Sequence, residues 1–357
     1  MKGREHYLKF TMEDLAKAEA CFKRAIELDP SFGRAQAALA LLYFEVSNNR
    51  METALKLNYI VVRLRARLHL IEALKKPTSI AYQVAGLMDL NLRQWDLAIS
   101  QLEKALALDP NDPTGHDAMS WVLSMSGKPA EGIEHAKSAL RLDPLNPARY
   151  LGHIGIAQFC MGDWKEAATA IENALKLNPE LRPPAAVLAA AYAHLGRNEE
   201  AKTASQAYYR KVPMWQMHFW PFKDQRVEEL FVEGLIKAGF PSGWLASVHV
   251  SNEDQITGDD LRTLTFPSNI TGIVPSEWSQ EITKDGIATL RTRWVTGGVD
   301  TGRTWLEGDK LWFQYKQFWY GMAYCNSVFK NPRGTPDTKD EYIRFNDLYY
   351  GKFSRAR

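Results

Sequence analysis

Ala105-Leu-Ala-Leu-Asp109-Pro110, Ala139-Leu-Arg-Leu-Asp143-Pro144 and Ala174-Leu-Lys-Leu-Asn178-Pro179 are three close copies of one phrase, and a looser fourth ends at Pro213. Their prolines stand 34, 35 and 34 residues apart. Proline lacks an amide hydrogen and clashes inside a helix, so this spacing ends one helix in every 34-residue period. Small residues recur at fixed places before each Pro. With Pro at position 32 of the unit, position 27 is Ala105, Ala139, Ala174 and Tyr208, and position 20 is Ala98, Gly132, Ala167 and Ala201. Position 8 is Gly86, Ser120, Gly155 and Ala189, a matching notch on the preceding helix. Gly127, Gly162 and Gly196 fall at position 15, where the first helix has to turn into the second. The spacing predicts eight antiparallel helices over Ser79 to Trp215.

This pattern resembles the tetratricopeptide repeat, a unit of two antiparallel helices with small residues at positions 8, 20 and 27 and Pro at 32. The resemblance implies an α-solenoid wound as a right-handed superhelix. Regular units run 79–112, 113–146, 148–181 and 182–215. Upstream, Thr11 and Asp14 form a cap-like pair, and Leu15, Ala18, Phe22, Ala25 and Ile26 make one apolar face ending near Pro30. The first helix of that unit is cramped against Met1, so the chain reads as the carboxy-terminal part of something longer. A second unit opens near Gly33, but Pro30 and Pro110 are 80 residues apart, twelve more than two units. The excess sits around 47–77, with an extended helix expected over Met51–Lys75 and Arg63, Arg65 and Arg67 on a solvated edge. The array is thus residues 1–215, about six units with the second irregular. A solenoid end needs a polar cap, and Asp224–Ala238 fits it within a capping and linker segment, 216–241.

After Pro241 the period changes. Seven of the eleven Trp lie beyond residue 216, in short alternating runs bounded by turn residues. Lys284-Asp-Gly286 joins Glu277–Thr283 to Ile287–Val295, and Gly308-Asp-Lys310 joins Arg303–Glu307 to Leu311–Tyr315, two hairpin signals. Phe318–Phe329 and Glu341–Asn346 add strands, and a helix over Thr257–Leu264 precedes them. Residues 242–357 are expected to form a small antiparallel β domain, a sandwich or half-open barrel. The fold class is α+β multidomain.

Taken together, the segments Gly3–Ala18, Phe222–Pro241, Gly302–Asp309 and Asn331-Pro-Arg-Gly334 resemble the carboxy-terminal, repeat-bearing region of bacterial class III adenylate/guanylate cyclase-like proteins. The resemblance covers structural motifs alone. No cyclase domain is present, so it carries no catalytic residue to this chain and implies a regulatory or signalling setting.

Composition narrows the function classes. The chain is 45% hydrophobic and 24% charged with a formal charge of +2, an ordinary globular balance without the basic excess of a nucleic-acid binder. No run of about 18 apolar residues predicts a membrane span. Cys21, Cys160 and Cys325 are far apart and read as reduced thiols of a cytoplasmic protein. The eight His form no His-x-x-x-His pair and no Cys-x-x-Cys is present, so neither a metal nor a cofactor is expected. Thr296–Gly302 is glycine-rich but joins two strands, and no nucleophile motif accompanies it. The expectation is a non-catalytic protein-interaction scaffold. Positions 9, 12 and 13 of the first helices face the hollow of such an array. They place Leu41, Phe44, Leu87, Leu90, Trp121, Met125, Ile156, Phe159 and His194 in an apolar groove. Its occupant is either an apolar or amphipathic protein or peptide partner, or this chain's own β domain or a second copy. The alternative function is small-molecule sensing in the β domain, with Trp294, Trp305, Trp312, Tyr315, Trp319 and Tyr324 lining a ligand cavity.

Overall fold

The structure is a computed structural model that describes residues 2–57, 59–211, 220–240, 252–272, 277–293, 295–318, 323–332, 334–345 and 350–356. Pro213, Trp215, Trp294 and Trp319, on which expectations above rest, lie outside these residues. The chain divides into two compact units, Met1–Ser247 and Val248–Arg357. None of the described helices is long and apolar enough to cross a membrane.

The first unit begins with α1 (Lys2–Lys9) and α2 (Met12–Leu28), and the expected cap is present, since the Thr11 hydroxyl accepts from the Asp14 amide at 3.1 Å. α3 (Gly33–Asn48) follows. The excess around 47–77 is not one extended helix: Glu52–Leu55 is a short 3-10 turn, Lys56 has φ +53, and α4 spans Tyr59–Ala73. Nor is Arg63 on a solvated edge. It is 5% exposed, donates to Asn48 Oδ1 at 2.9 Å and lies over the Phe44 ring, because the turn brings α4 back along α3.

Eight helices then follow over the stretch where eight were expected. They are α5 (Ser79–Asn91), α6 (Trp95–Leu108), α7 (Pro113–Met125), α8 (Pro129–Leu142), α9 (Pro147–Met161), α10 (Trp164–Leu177), α11 (Arg182–His194) and α12 (Asn198–Lys211). Position 15 does what the sequence requires, with Gly127, Gly162 and Gly196 at φ +83, +85 and +74. Positions 8 and 20 meet across each pair. A Cβ on Gly86 would stand 2.9 Å from the Ala98 carbonyl, one on Gly155 2.9 Å from that of Ala167, and one on Gly132 2.8 Å from that of Ser120. Ala98 and Ala167 are fully buried at these contacts. Leucine at either is expected to overpack the helix pair and lower stability by roughly 1–3 kcal/mol. Chemical denaturation reads this directly, and unaltered curves for both variants would contradict the register.

In the second unit, α14 (Gly258–Thr265) leads into eight antiparallel strands: β1 (Ser268–Gly272), β2 (Trp278–Ile282), β3 (Ile287–Thr292), β4 (Val299–Glu307), β5 (Lys310–Tyr315), β6 (Tyr324–Lys330), β7 (Tyr342–Phe345) and β8 (Tyr350–Arg355). Both hairpin signals hold, with Gly286 and Gly308 at φ +83 and +56. The expected sandwich or half-open barrel is corrected: the sheet is a closed barrel in the order β1 to β8. Closure comes from β1 and β8, two strands the sequence reading does not contain, which pair Ile270 with Arg355, Thr271 with Ser354 and Gly272 with Phe353.

Candidate functional site in the repeats

The first helices of the repeats, α3, α5, α7, α9 and α11, present the nine groove residues. Leu41, Phe44, Leu87, Leu90, Met125, Ile156 and Phe159 are at most 6% exposed, whereas Trp121 and His194 are half-buried. Much of their cover comes from residues 220–240 of the same unit, so the array does not await an occupant along its whole length. Trp220 packs edge-on against Trp121 at 5.4 Å, and Phe231 against Phe159 at 6.0 Å. The Lys223 amide donates to the Met125 carbonyl at 2.8 Å, and His194 Nε2 donates to the Leu230 carbonyl at 2.7 Å.

α13 (Gln225–Lys237) therefore lies across the inner surface, which differs from the end cap expected of Asp224–Ala238. Asp224 does cap it, accepting from the Arg226 amide at 2.8 Å. What draws the helix inward is fit. Gly234 sits where a Cβ would be 2.8 Å from that of Ala190, and Arg93 forms a 3.3 Å ion pair with Glu228. Trp95 Nε1 donates to the Pro221 carbonyl at 2.8 Å. The helix meets the small residue Ala190 of α11 at its contact point, and its apolar stripe of Phe231 and Leu235 is buried, with Phe231 against Phe159 of α9.

A cavity of about 70 Å³ remains on the inner face, walled by Phe10, Leu87, Trp121, Tyr208 and Trp220, with Arg50, Arg149, Arg182 and His153 among its polar lining. That is several times the ~10–15 Å³ that one water needs. Two early segments of the chain close it. Arg149, on α9, pairs at 2.5 Å with both Glu45 of α3 and Asp117 of α7, and donates to the Tyr7 hydroxyl at 3.3 Å. Its guanidinium lies 5.2 Å from the Phe10 ring centroid. Arg182, at the start of α11, donates to the Arg50 carbonyl on the loop after α3.

The electrostatics follow from these partners. Burial opposes the Asp117 charge, but His153, 2.7 Å away, and Arg149 outweigh it and hold the carboxyl below its usual range. Burial likewise opposes the charge on Arg149, and Glu45 and Asp117 raise it well above the ordinary value. Arg182 is moved down by burial. Its Nε has no acceptor among the described residues. Cys160, on α9, is pushed up to about 12 by burial, so it is an inert thiol at neutral pH.

Only Leu87 and Trp121 of the nine groove residues reach this cavity. Arg149, His153 and Arg182 are absent from the sequence-derived set. They sit at positions 2, 6 and 1 of their units, outside the 9, 12 and 13 register.

The four described barrel aromatics, Trp305, Trp312, Tyr315 and Tyr324, do not share one face of the sheet. Alternation puts Tyr315 and Tyr324 among the fully buried residues, each 2% exposed, while Trp305 and Trp312 stack at 5.8 Å in a half-exposed cross-strand pair. The pair follows from register: Trp305 faces Trp312 directly, and each is one residue out of phase with buried Thr304 or Phe313.

Two protein-family models, both described as tetratricopeptide repeat, match residues 154–215 and 7–32. A curated relative, "Tetratricopeptide repeat protein 37" of Xenopus laevis, is 27% identical over 180 residues, which is 50% of this chain and 11% of that protein. Among solved structures, the APC/C hetero-tetramer Cut9-Hcn1 has a TM-score of 0.43 at 19% identity, with 62% of this chain and 39% of that chain covered. A thermophilic TPR protein of Thermus thermophilus has a TM-score of 0.39 at 20% identity, with 50% and 93% covered. The chain thus spans well under half the length of the first of these relatives. Residues 7–32 and 154–215 thus match tetratricopeptide-repeat models, and the helix pairs of the first unit, with their small-residue contacts, have the form of that repeat.

Proposed function

We propose that the helical unit is an interaction scaffold whose arginine-lined cavity receives a carboxylate of a partner segment, while Phe10, Trp121 and Trp220 hold an adjacent apolar side chain. Tetratricopeptide repeats are generally protein-interaction scaffolds. The observation that carries the finer reading is the lining: three guanidinium groups, Arg50, Arg149 and Arg182, stand against a single lining carboxylate, Glu45. Planar guanidinium forks match carboxylates geometrically, and low local dielectric strengthens the match. This amends the wholly apolar groove, because Met125, Ile156 and Phe159 are already covered.

The test is fluorescence anisotropy with labelled amphipathic peptides that end in a free carboxylate, beside the same peptides as amides. The free acids are expected to bind at least about tenfold more tightly, near 1.4 kcal/mol, and Arg182→Met to remove that difference without altering the helical circular dichroism. Equal binding of acid and amide, or a difference that survives the substitution, would sink the reading.

A further inference from the structure

The barrel encloses a cation. Arg344, on β7, is 5% exposed, and its guanidinium lies 4.3 Å from the Trp278 ring centroid, 5.0 Å from that of Phe313 and 5.9 Å from that of Phe353. Trp278 is on β2, Phe313 on β5 and Phe353 on β8. In the ring, β7 adjoins only β6 and β8. A side chain from β7 that touches β2 and β5 has crossed the lumen, so the guanidinium is inside the barrel.

Its polar partners are few. Nη1 donates to Gln280 Oε1 at 3.0 Å. Arg344 Nε and Gln280 Nε2 are both buried and have no acceptor among the described residues, and no carboxylate there pairs with Arg344. Gln280 is itself 1% exposed. Two donors of neighbouring side chains, one of them charged, are thus buried without an acceptor among the described residues. Aromatic faces offset part of the cost of burying the charge, but they accept no hydrogen bond along the guanidinium plane. An oxyanion would supply that acceptor. Leu290, Phe313, Tyr324 and Val328 are buried on the inward strand faces, together with the polar Thr292, Thr304 and Asn326. An eight-stranded barrel is of the size that either fills with side chains or holds one small ligand.

We propose that the barrel interior binds an amphipathic small molecule through an oxyanion head, a carboxylate or phosphate, held by Arg344 and Gln280 with its apolar body among the barrel aromatics. Trp278, stacked on the guanidinium, orients the fork. The assignment is independent of the cavity in the repeats, and it uses neither Trp305 nor Trp312, whose pair lies out of phase with the interior residues.

Isothermal titration of the full chain with decanoate, decyl phosphate and decanol, each below its micellar range, tests this. At least one of the two anions is expected to bind saturably and at least tenfold more tightly than decanol, and the tighter of the two names the head group. Arg344→Met should abolish that preference, Arg344→Lys should keep part of it because charge remains without the planar fork, and Gln280→Leu should weaken it. Thermal melting of each variant reports folding. If Arg344→Met does not fold, Gln280→Leu together with the anion-to-decanol ratio of the unaltered chain decides the matter. Decanol binding as tightly as both anions, no saturable binding of either anion, or an anion preference that persists in a folded Arg344→Met chain would each overturn the assignment and leave Arg344 as a charge held by aromatic rings.

Discussion

Replacing Arg93 with alanine is expected to lower the stability of the helical unit by roughly 3–5 kcal/mol, because it removes the buried cation that pairs with a buried carboxylate. Arg93 occupies position 15, where the other regular units carry glycine, and it holds φ +58 there. A branched-off side chain in the left-handed region carries a conformational cost that glycine avoids. The guanidinium, 7% exposed, accounts for its presence. It reaches Glu228 at 3.3 Å and the carbonyls of Trp220 and Phe222 at 3.4 Å each, and so fastens the 220–240 segment to the array. Burial moves Arg93 down from its ordinary value and Glu228 works against that shift. Alanine removes this cation and leaves Glu228, 6% exposed as a side chain, inside. Urea denaturation measures the loss, and binding of a hydrophobic dye should rise as α13 loosens. The double variant Arg93→Gly with Glu228→Gln is expected to recover most of the stability, since it removes both the buried charge and the left-handed strain. A loss below about 1 kcal/mol in the single variant would show that the pair is not what holds the segment.

The second large effect is expected at Arg149→Met, again roughly 3–5 kcal/mol. One guanidinium joins Glu45 and Asp117, whose side chains are 7% and 2% exposed, and also reaches Tyr7. Methionine fills similar space but leaves both carboxylates short of a cation. The pH dependence gives an independent readout. Asp117 is depressed in the folded state, so its contribution is present above the ordinary carboxylate value of about 3.9 and fades as the pH falls through the lower folded value. The stability gap between the unaltered chain and Arg149→Met should accordingly narrow in acid below about pH 4. A gap that is constant down to pH 2 would assign the loss to packing against Phe10 instead.

The repeats were legible because each rule is local: a Pro every 34 residues, a glycine at the turn, a small residue where two helices touch. Ala98 against Gly86 needs no knowledge of distant parts of the chain. The cavity was not legible for the opposite reason. Arg149 meets Glu45 and Tyr7 only because the irregular stretch after α3 brings the first helices across to α9, a contact over more than one hundred residues. A register of 9, 12 and 13 selects the floor of a regular array and passes over positions 1, 2 and 6, which line the cavity. The path of α13 was hidden for a related reason: an apolar stripe says that a helix will be covered, not which surface covers it. In the barrel, hairpins announced themselves through Asp-Gly and Gly-Asp turns. Ser268–Gly272 and Tyr350–Arg355 did not, since Asn269, Thr271, Lys352 and Ser354 interrupt any apolar run and neither strand shares a tight turn with its closing partner.

The pairing of β1 with β8 also makes the sheet a ring in the topological sense. Every strand bonds only to its two neighbours in sequence, except the first and last, which bond to each other. Such a sheet has no outer strand whose backbone is left to recruit another chain. It also has no privileged point of origin: severing any one hairpin and joining Arg355 to the segment before Ser268 would preserve seven of the eight adjacencies by covalent connection and the eighth by hydrogen bonds alone. The order in which these strands were strung along the gene is, for the barrel, one choice among eight equivalent ones.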